Sequence, residues 1–258
     1  MALLIEAGQM TASDYVPKYP NLMLASKGAS TDAVRVSTPL PTSDESAYWS
    51  LMINRNAAAN LLEQLSRWSA ASPLHDKKQL RQICPQARRG TYAYLHCLYA
   101  GLGEAEIDKM AVSLGHPIPP KLFDFYIATN GARLFEGQVS VGGLVIDFSR
   151  NPAKAVPICI EQHNLIFSAM HPDWHNQGYF RIGGVSFLRQ DQMICGPNDQ
   201  IAILHEQTGR PLRRYVDIFD CLESFAREMA QFWTAEGDFI GDWETIDHLL
   251  LGTGGMVQ

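Results

Sequence analysis

His171 and His175 stand four residues apart in the stretch HPDWH, with Asp173 between them and His163 a short way upstream. On a helix that spacing turns two imidazoles to one face, and paired imidazoles with a carboxylate make a zinc ligand set. Two features weaken a metal reading. The HExxH pattern, with its glutamate base, is absent, and Pro172 inside SAMHPDWHNQGY predicts a loop in place of a helix. The same stretch carries Trp174, a side-chain type enriched where proteins bind one another. Trp174, His171, Asp173 and His175 are therefore candidate partner contacts, joined by Phe135 and Glu136 just beyond an Asn-Gly pair. The competing role for Trp174 is to cap the core of a sheet.

Elsewhere the signatures of nucleophiles and phosphate cradles are missing or broken. Cys97 follows His96, but adjacency along a predicted helix is not the spatial pairing a thiolate needs. His205-Glu206 falls in a predicted strand, where neighbours point to opposite faces. No GxSxG elbow occurs, GLGEAE lacks the rest of a dinucleotide-binding pattern, and the terminal GTGG lacks the Lys-Ser/Thr of a P-loop. The five cysteines are odd in number and form no CxxC pair, which argues against a disulfide framework or a zinc ribbon. They read as reduced, mostly buried thiols, and the sequence predicts no catalytic residue, no metal and no cofactor.

Composition narrows the classes further. Hydrophobic residues make up 46% of the 258 and charged residues 19%, an ordinary balance for a globular core. A net charge of −6 argues against a general binder of nucleic-acid backbones, which needs a basic face. QARRG and RPLRRY are the basic clusters, and both read as solvated faces. The acidic residues Glu223, Glu228, Glu236, Asp238, Asp242, Glu244 and Asp247 read mainly as a solvated face, with phosphate mimicry toward a basic nuclease as the functional alternative. The first residues, MALLIEAGQM, lack a basic leader region, and no run of 18 apolar residues occurs. The expectation is a cytoplasmic protein with no membrane span.

These groups must be positioned by a fold. Residues 1–45 read as an extended arm or linker, rich in Ser, Thr, Pro and Asp. Residues 46–103 read as a helical extension: one helix to about Ser69, a short one over Lys77 to Ile83 stopped by Pro85, and a third marked by Tyr92, Leu95, Leu98 and Tyr99. A helix from Glu104 to Leu114 ends on Gly115, Pro117 and Pro119 forbid its continuation, and Pro120 starts another that stops at Asn130-Gly131. Antiparallel strands are expected at Gln138–Val141, Leu144–Phe148, Tyr179–Ile182, Gln192–Cys195, Gln200–Glu206 and Arg213–Val216. A final helix runs from Asp220 to Thr234, with Asp220 and Glu223 at capping-box spacing. Residues 237–258 form a tail. The fold class is α+β: a twisted antiparallel sheet packed against the helices.

The order of acidic helix, proline corner, aromatic helix, Asn-Gly, strands, the DQMIC and DQIAILHE hairpin and a Phe-rich last helix resembles the SUKH superfamily, the Smi/Knr-type domains. The resemblance covers residues 104–233, about half the chain, and rests on Pro119, Phe123, Phe125, Tyr126, Asn130, Gly131, Asp191, Asp199, Ile201 and Phe225. The corner reads Ile118-Pro119 where the family commonly has Leu-Pro, and Gly131-Ala132 stands where it often has two glycines. The resemblance implies a protein-binding module and not an enzyme, most often an immunity protein that neutralises a toxin domain. Two alternatives stay open: a metal-assisted enzyme or small-molecule-binding protein using the His163/His171/His175 region, and a regulatory scaffold.

Overall fold

The computed structural model describes residues 57–68, 75–77, 80–85, 94–146, 157–187 and 190–246, all within one compact unit spanning residues 44–258. The expected arm over residues 1–45 and the part of the expected 237–258 tail beyond residue 246 lie outside the described residues, while Phe239, Trp243 and Ile246 of that tail pack against the core. The strands are β1 (His75–Lys77), β2 (Leu80–Pro85), β3 (Tyr94–Leu98), β4 (Ala132–Leu134), β5 (Val139–Val141), β6 (Phe180–Val185), β7 (Asp191–Cys195), β8 (Ile201–Leu204) and β9 (Pro211–Tyr215). They pair in chain order, each neighbouring pair antiparallel, as an open meander. The helices are α1 (residues 57–66), α2 (Glu104–Leu114), α3 (Pro120–Ala128), α4 (Ile160–Met170), α5 (Pro172–Asn176), α6 (Ile218–Met229) and α7 (residues 243–246). The fold is α+β.

Helices cover the sheet on both faces. Along β7 and β8, Met193, Cys195, Ile201 and Ile203 enter the main core with Leu122 and Phe125 of α3 and Leu222, Phe225 and Met229 of α6. Ile194, Ala202 and Leu204 point the other way, into a smaller cluster closed by Phe167 of α4 and flanked by Trp174 and Tyr179. Every residue of β7 and β8 is buried. Burial on both faces is why these strands read as apolar runs with no alternation. At about 25 cal/mol per Å² of apolar surface, this two-sided burial is what holds the sheet centre.

Two of the expected helices are strands. The segment read as Lys77 to Ile83 forms the end of β1 and most of β2, and the one marked by Leu95 and Leu98 forms β3. Leu95, His96 and Leu98 are all buried, so β3 also lacks a period of two, and a short apolar run of this kind does not distinguish strand from helix. The strands β1, β2 and β3 of residues 46–103 thus join the same sheet as the strands of residues 104–236, while α1 remains helical as expected. Leu144–Ile146 is not a strand, because the Leu144 backbone is occupied by the Asn130 side chain. Phe148 lies outside the described residues. The last helix begins at Ile218, earlier than expected, and its cap is Asp217, whose Oδ1 accepts from the Phe219 and Asp220 N–H groups.

The proline corner folds as its residues dictate. Gly115 closes α2 at φ 70°, a left-handed conformation that glycine adopts without strain. Pro119 and Pro120 open α3, but neither has a side chain able to cap it. The cap comes from the β7–β8 turn: Asp199 Oδ1 accepts from the Lys121 N–H at 2.7 Å and the Leu122 N–H at 3.3 Å. A carboxylate there also favours the positive end of the helix dipole.

Candidate functional site

The HPDWH stretch is helical and not a loop. α4 runs to Met170, His171 marks the break at φ −132° and ψ 60°, and Pro172 starts α5 at the position where its missing N–H costs nothing. α4 is fastened to the sheet by Asn164. Its Oδ1 accepts from the Arg181 N–H at 2.8 Å, and its Nδ2 donates to the Arg181 carbonyl at 2.7 Å. The side-chain amide thereby acts as a one-residue strand where the β6–β7 register shifts at Arg181/Gly183.

The three histidines go to different surroundings. His171 Nε2 lies 3.1 Å from Gln192 Nε2, with the Phe167 ring at 5.4 Å and Gly209 beneath it. His175 Nδ1 meets His116 Nε2 at 3.2 Å, and the His116 ring stacks on Phe180 at 5.8 Å. That contact joins α5 to the proline corner. His163 is half-buried, with a buried Nδ1 that has no hydrogen-bond partner. Burial, then the Arg181 charge, pushes His163 down to about 4. The same two causes lower His171, and burial followed by the charge of His175 lowers His116. Asp173 is exposed. Among the described residues, no three His, Cys, Asp or Glu side chains converge as metal ligands.

Trp174 takes the capping role weighed for it in the sequence. Its ring packs on the outer cluster of Phe167, Ile194, Ala202 and Leu204, yet it stays half-exposed. The indole N–H donates to the Gly209 carbonyl at 3.2 Å, Tyr179 meets the ring edge-on at 4.9 Å, and the Arg214 guanidinium lies 5.7 Å from its centre. Gln200 Oε1 accepts from both the Tyr179 hydroxyl at 3.2 Å and Arg214 at 3.0 Å. Beside them a groove of about 320 Å³ is lined by Tyr179, Pro197, Asn198, Gln200 and Val216. Val216 is 76% exposed. Tyr179 and Gln200 carry no functional signal in the sequence and Arg214 only that of the RPLRRY cluster, because the three come from separate elements and share no spacing.

The other candidates fall differently. Phe135 is a correction: it is fully buried against Trp68, His96 and Trp233, so it offers no contact surface. It and Glu136 both adopt positive φ, 54° and 59°, which turns the Phe135 ring inward from the β4–β5 turn. The residues carrying the family resemblance are scaffold. Phe125 and Tyr126 are fully buried, Phe123 packs on the core, and the Tyr126 hydroxyl donates to the Gly142 carbonyl at 3.0 Å. Gly131 sits at φ 93°, and a Cβ there would meet the Val141 carbonyl oxygen at 2.6 Å. Asp191 is also fully buried and accepts from the Glu206 N–H.

His96 and Cys97 are neighbours on β3 and not on a helix, so they face opposite sides of the sheet. Burial pushes the Cys97 thiol up to about 11 despite the nearby Arg133. The expected result is slow chemistry: iodoacetamide at pH 7.5 labels the Cys97 peptide about tenfold or more slowly in the native protein than in urea. Peptide mapping by mass spectrometry checks it, and equal rates would reject the buried thiol. His205 lies in the turn after β8 and not in a strand, its Nδ1 accepting from the Thr208 N–H. Arg213 is held by Glu228 in a two-point pair at 2.7 and 2.8 Å, which also gives Glu228 a structural role. Arg88, Arg89 and Asp247 lie outside the described residues. No helix among the described residues is long and apolar enough to cross a membrane.

No family model matches this chain, and neither curated proteins nor solved structures include a significant match.

Proposed function

We propose that the chain is a protein-binding module and not an enzyme, an immunity protein of the SUKH kind that binds and neutralises a toxin domain. The observation that carries the binding role is the Trp174, Tyr179 and Arg214 cluster at the rim of an open groove. Tryptophan, tyrosine and arginine are the residues that most often dominate binding energy, and they do so best when held rigid before the partner arrives. Here the indole is pinned through Gly209, and Gln200 ties the tyrosine to the arginine. The residues shared with the SUKH pattern support the scaffold beneath, which suits a fold whose variable edge does the recognising. Proteins of this kind act by shape and charge complementarity, in keeping with the net charge of −6 and a basic partner.

The test begins with affinity capture from the native cells and identification of a stoichiometric partner. That partner should arrest growth when expressed alone and be silenced by this chain. Trp174→Ala is then expected to weaken binding by about 2 kcal/mol or more, roughly thirtyfold, in calorimetry. Trp174→Phe keeps most of the packing and separates lost contact from lost stability. Unchanged affinity in both variants would remove this edge from the interface.

A further inference from the structure

Among the described residues, large apolar side chains left in solvent are scattered, with one concentration. Leu165 is 75% exposed, Ile166 54% and Met170 51%, all on the outward side of α4, with Ala169 exposed between them. The opposite side of the same helix buries Ile160, Asn164 and Phe167. α4 is therefore apolar on two sides, and the outer stripe sets Leu165 over Ala169 and Ile166 over Met170 at the i, i+4 spacing of a helix-docking face. From Gln162 to Met170 there is no carboxylate and no lysine or arginine.

We propose that this stripe is a second contact surface, and that its occupant is a partner segment with an apolar face flanked by lysine or arginine. The inference rests on the protein-binding reading and names the chemistry of the partner. Charge decides among occupants. Glu161 precedes the stripe and Asp173 follows it, whereas α2, packed beside α4, exposes Asp108 and Lys109 together and adds no net charge there. A second copy of this chain is disfavoured. Antiparallel stripes would set Glu161 against Asp173, and parallel ones would set each acid against itself, so like charges meet either way. An anionic membrane is disfavoured by the same acids, since helices that lie on such surfaces carry basic flanks. A basic-flanked apolar segment satisfies both parts of the surface at once.

The probe is a synthetic amphipathic helix of about 14 residues built from leucine and lysine, with a control in which every lysine is glutamate. The full chain is compared with the Leu165→Ser/Met170→Ser variant, whose changes lie in solvent and should leave the melting temperature in place. The expected result by fluorescence anisotropy is micromolar binding of the leucine–lysine helix, weakened about tenfold or more in the variant and in the glutamate control, and weakened by salt. Equal binding to both proteins, or none to either, overturns the proposal. A dimer in sedimentation that dissociates in the variant would instead assign the stripe to a second copy. Co-sedimentation with phosphatidylserine vesicles that the variant abolishes would assign it to lipid. Either result also overturns the proposal. With the captured partner, binding that survives the α4 variant but not Trp174→Ala defeats this inference and leaves the binding role standing. Binding that survives both defeats the assignment of this side of the molecule altogether.

Discussion

Replacing Asn130 by alanine is expected to lower the stability of the fold by about 3 kcal/mol. Asn130 is 6% exposed, its Oδ1 accepts from the Leu144 N–H at 2.8 Å, and its Nδ2 donates to the Leu144 carbonyl at 2.8 Å. The side chain stands in for a neighbouring strand where the chain leaves β5. Alanine would leave two partly buried backbone groups without partners, each costing on the order of 1–3 kcal/mol. Asn130→Asp tests the geometry more finely. The carboxylate keeps the accepted bond but faces the Leu144 carbonyl with negative charge. Protonation restores a donor, so the native state holds that proton more tightly than the unfolded chain does. The pKa of the introduced aspartate is thereby raised in the folded state, and the variant should gain stability relative to wild type as pH falls through that raised value. Urea unfolding at pH 7 and pH 5 checks both variants. A midpoint for Asn130→Ala indistinguishable from wild type would show that water replaces the amide at no cost.

Acidification should destabilise the wild-type protein through His96, by about 2 kcal/mol between pH 6.5 and 4.5. His96 is fully buried among Trp68 and Phe135, and its Nδ1 accepts from the Phe135 N–H at 3.3 Å. Burial pushes it down to about 3. In the unfolded chain it titrates near 6.5, so below that pH the unfolded state binds a proton that the folded state refuses. Stability is intact above pH 6.5 and is lost at about 1.4 kcal/mol per unit as pH falls toward 3. His163 acts in the same direction over its own window, from 6.5 down to about 4. His96→Gln keeps an acceptor for the Phe135 N–H and cannot take up the proton. The stability difference between wild type and His96→Gln should therefore shrink by about 3 kcal/mol from pH 7.5 to 4.5 in denaturant titrations. A pH-independent difference would mean that His96 takes up its proton as readily in the fold as in the unfolded chain.

The two residues also differ in how far the sequence announced them. Asn130 stands in an Asn-Gly pair after an apolar segment, and its place at the end of α3 was legible because Gly131 needs positive φ. Its bond to Leu144 was not, since nothing along the chain marks which backbone a side-chain amide will meet. His96 was noted only for the cysteine beside it. Its burial depended on recognising β3 as a strand covered on both sides, and the apolar run around it suits helix spacing equally well. α4 escaped notice because Pro172 and the polar residues after it suggested a loop, while Leu165, Ile166 and Phe167 form an apolar run without one clear face.

By itself the sequence determined the punctuation: the stop of α2 at Gly115, the start of α3 at Pro119 and Pro120, the turn at Asn130-Gly131 and the amphipathic stripe of α6. Those features depend on the φ range of one residue or on a helix with a single buried face, and both are local properties. Tertiary structure alone decided that Leu80–Pro85 and Tyr94–Leu98 join the sheet, that Asp199 caps a helix 78 residues earlier in the chain, and that His171 and His175 part company. A strand buried on both faces carries no period, and a cap or a histidine partner from a distant turn exists only once packing has brought it there.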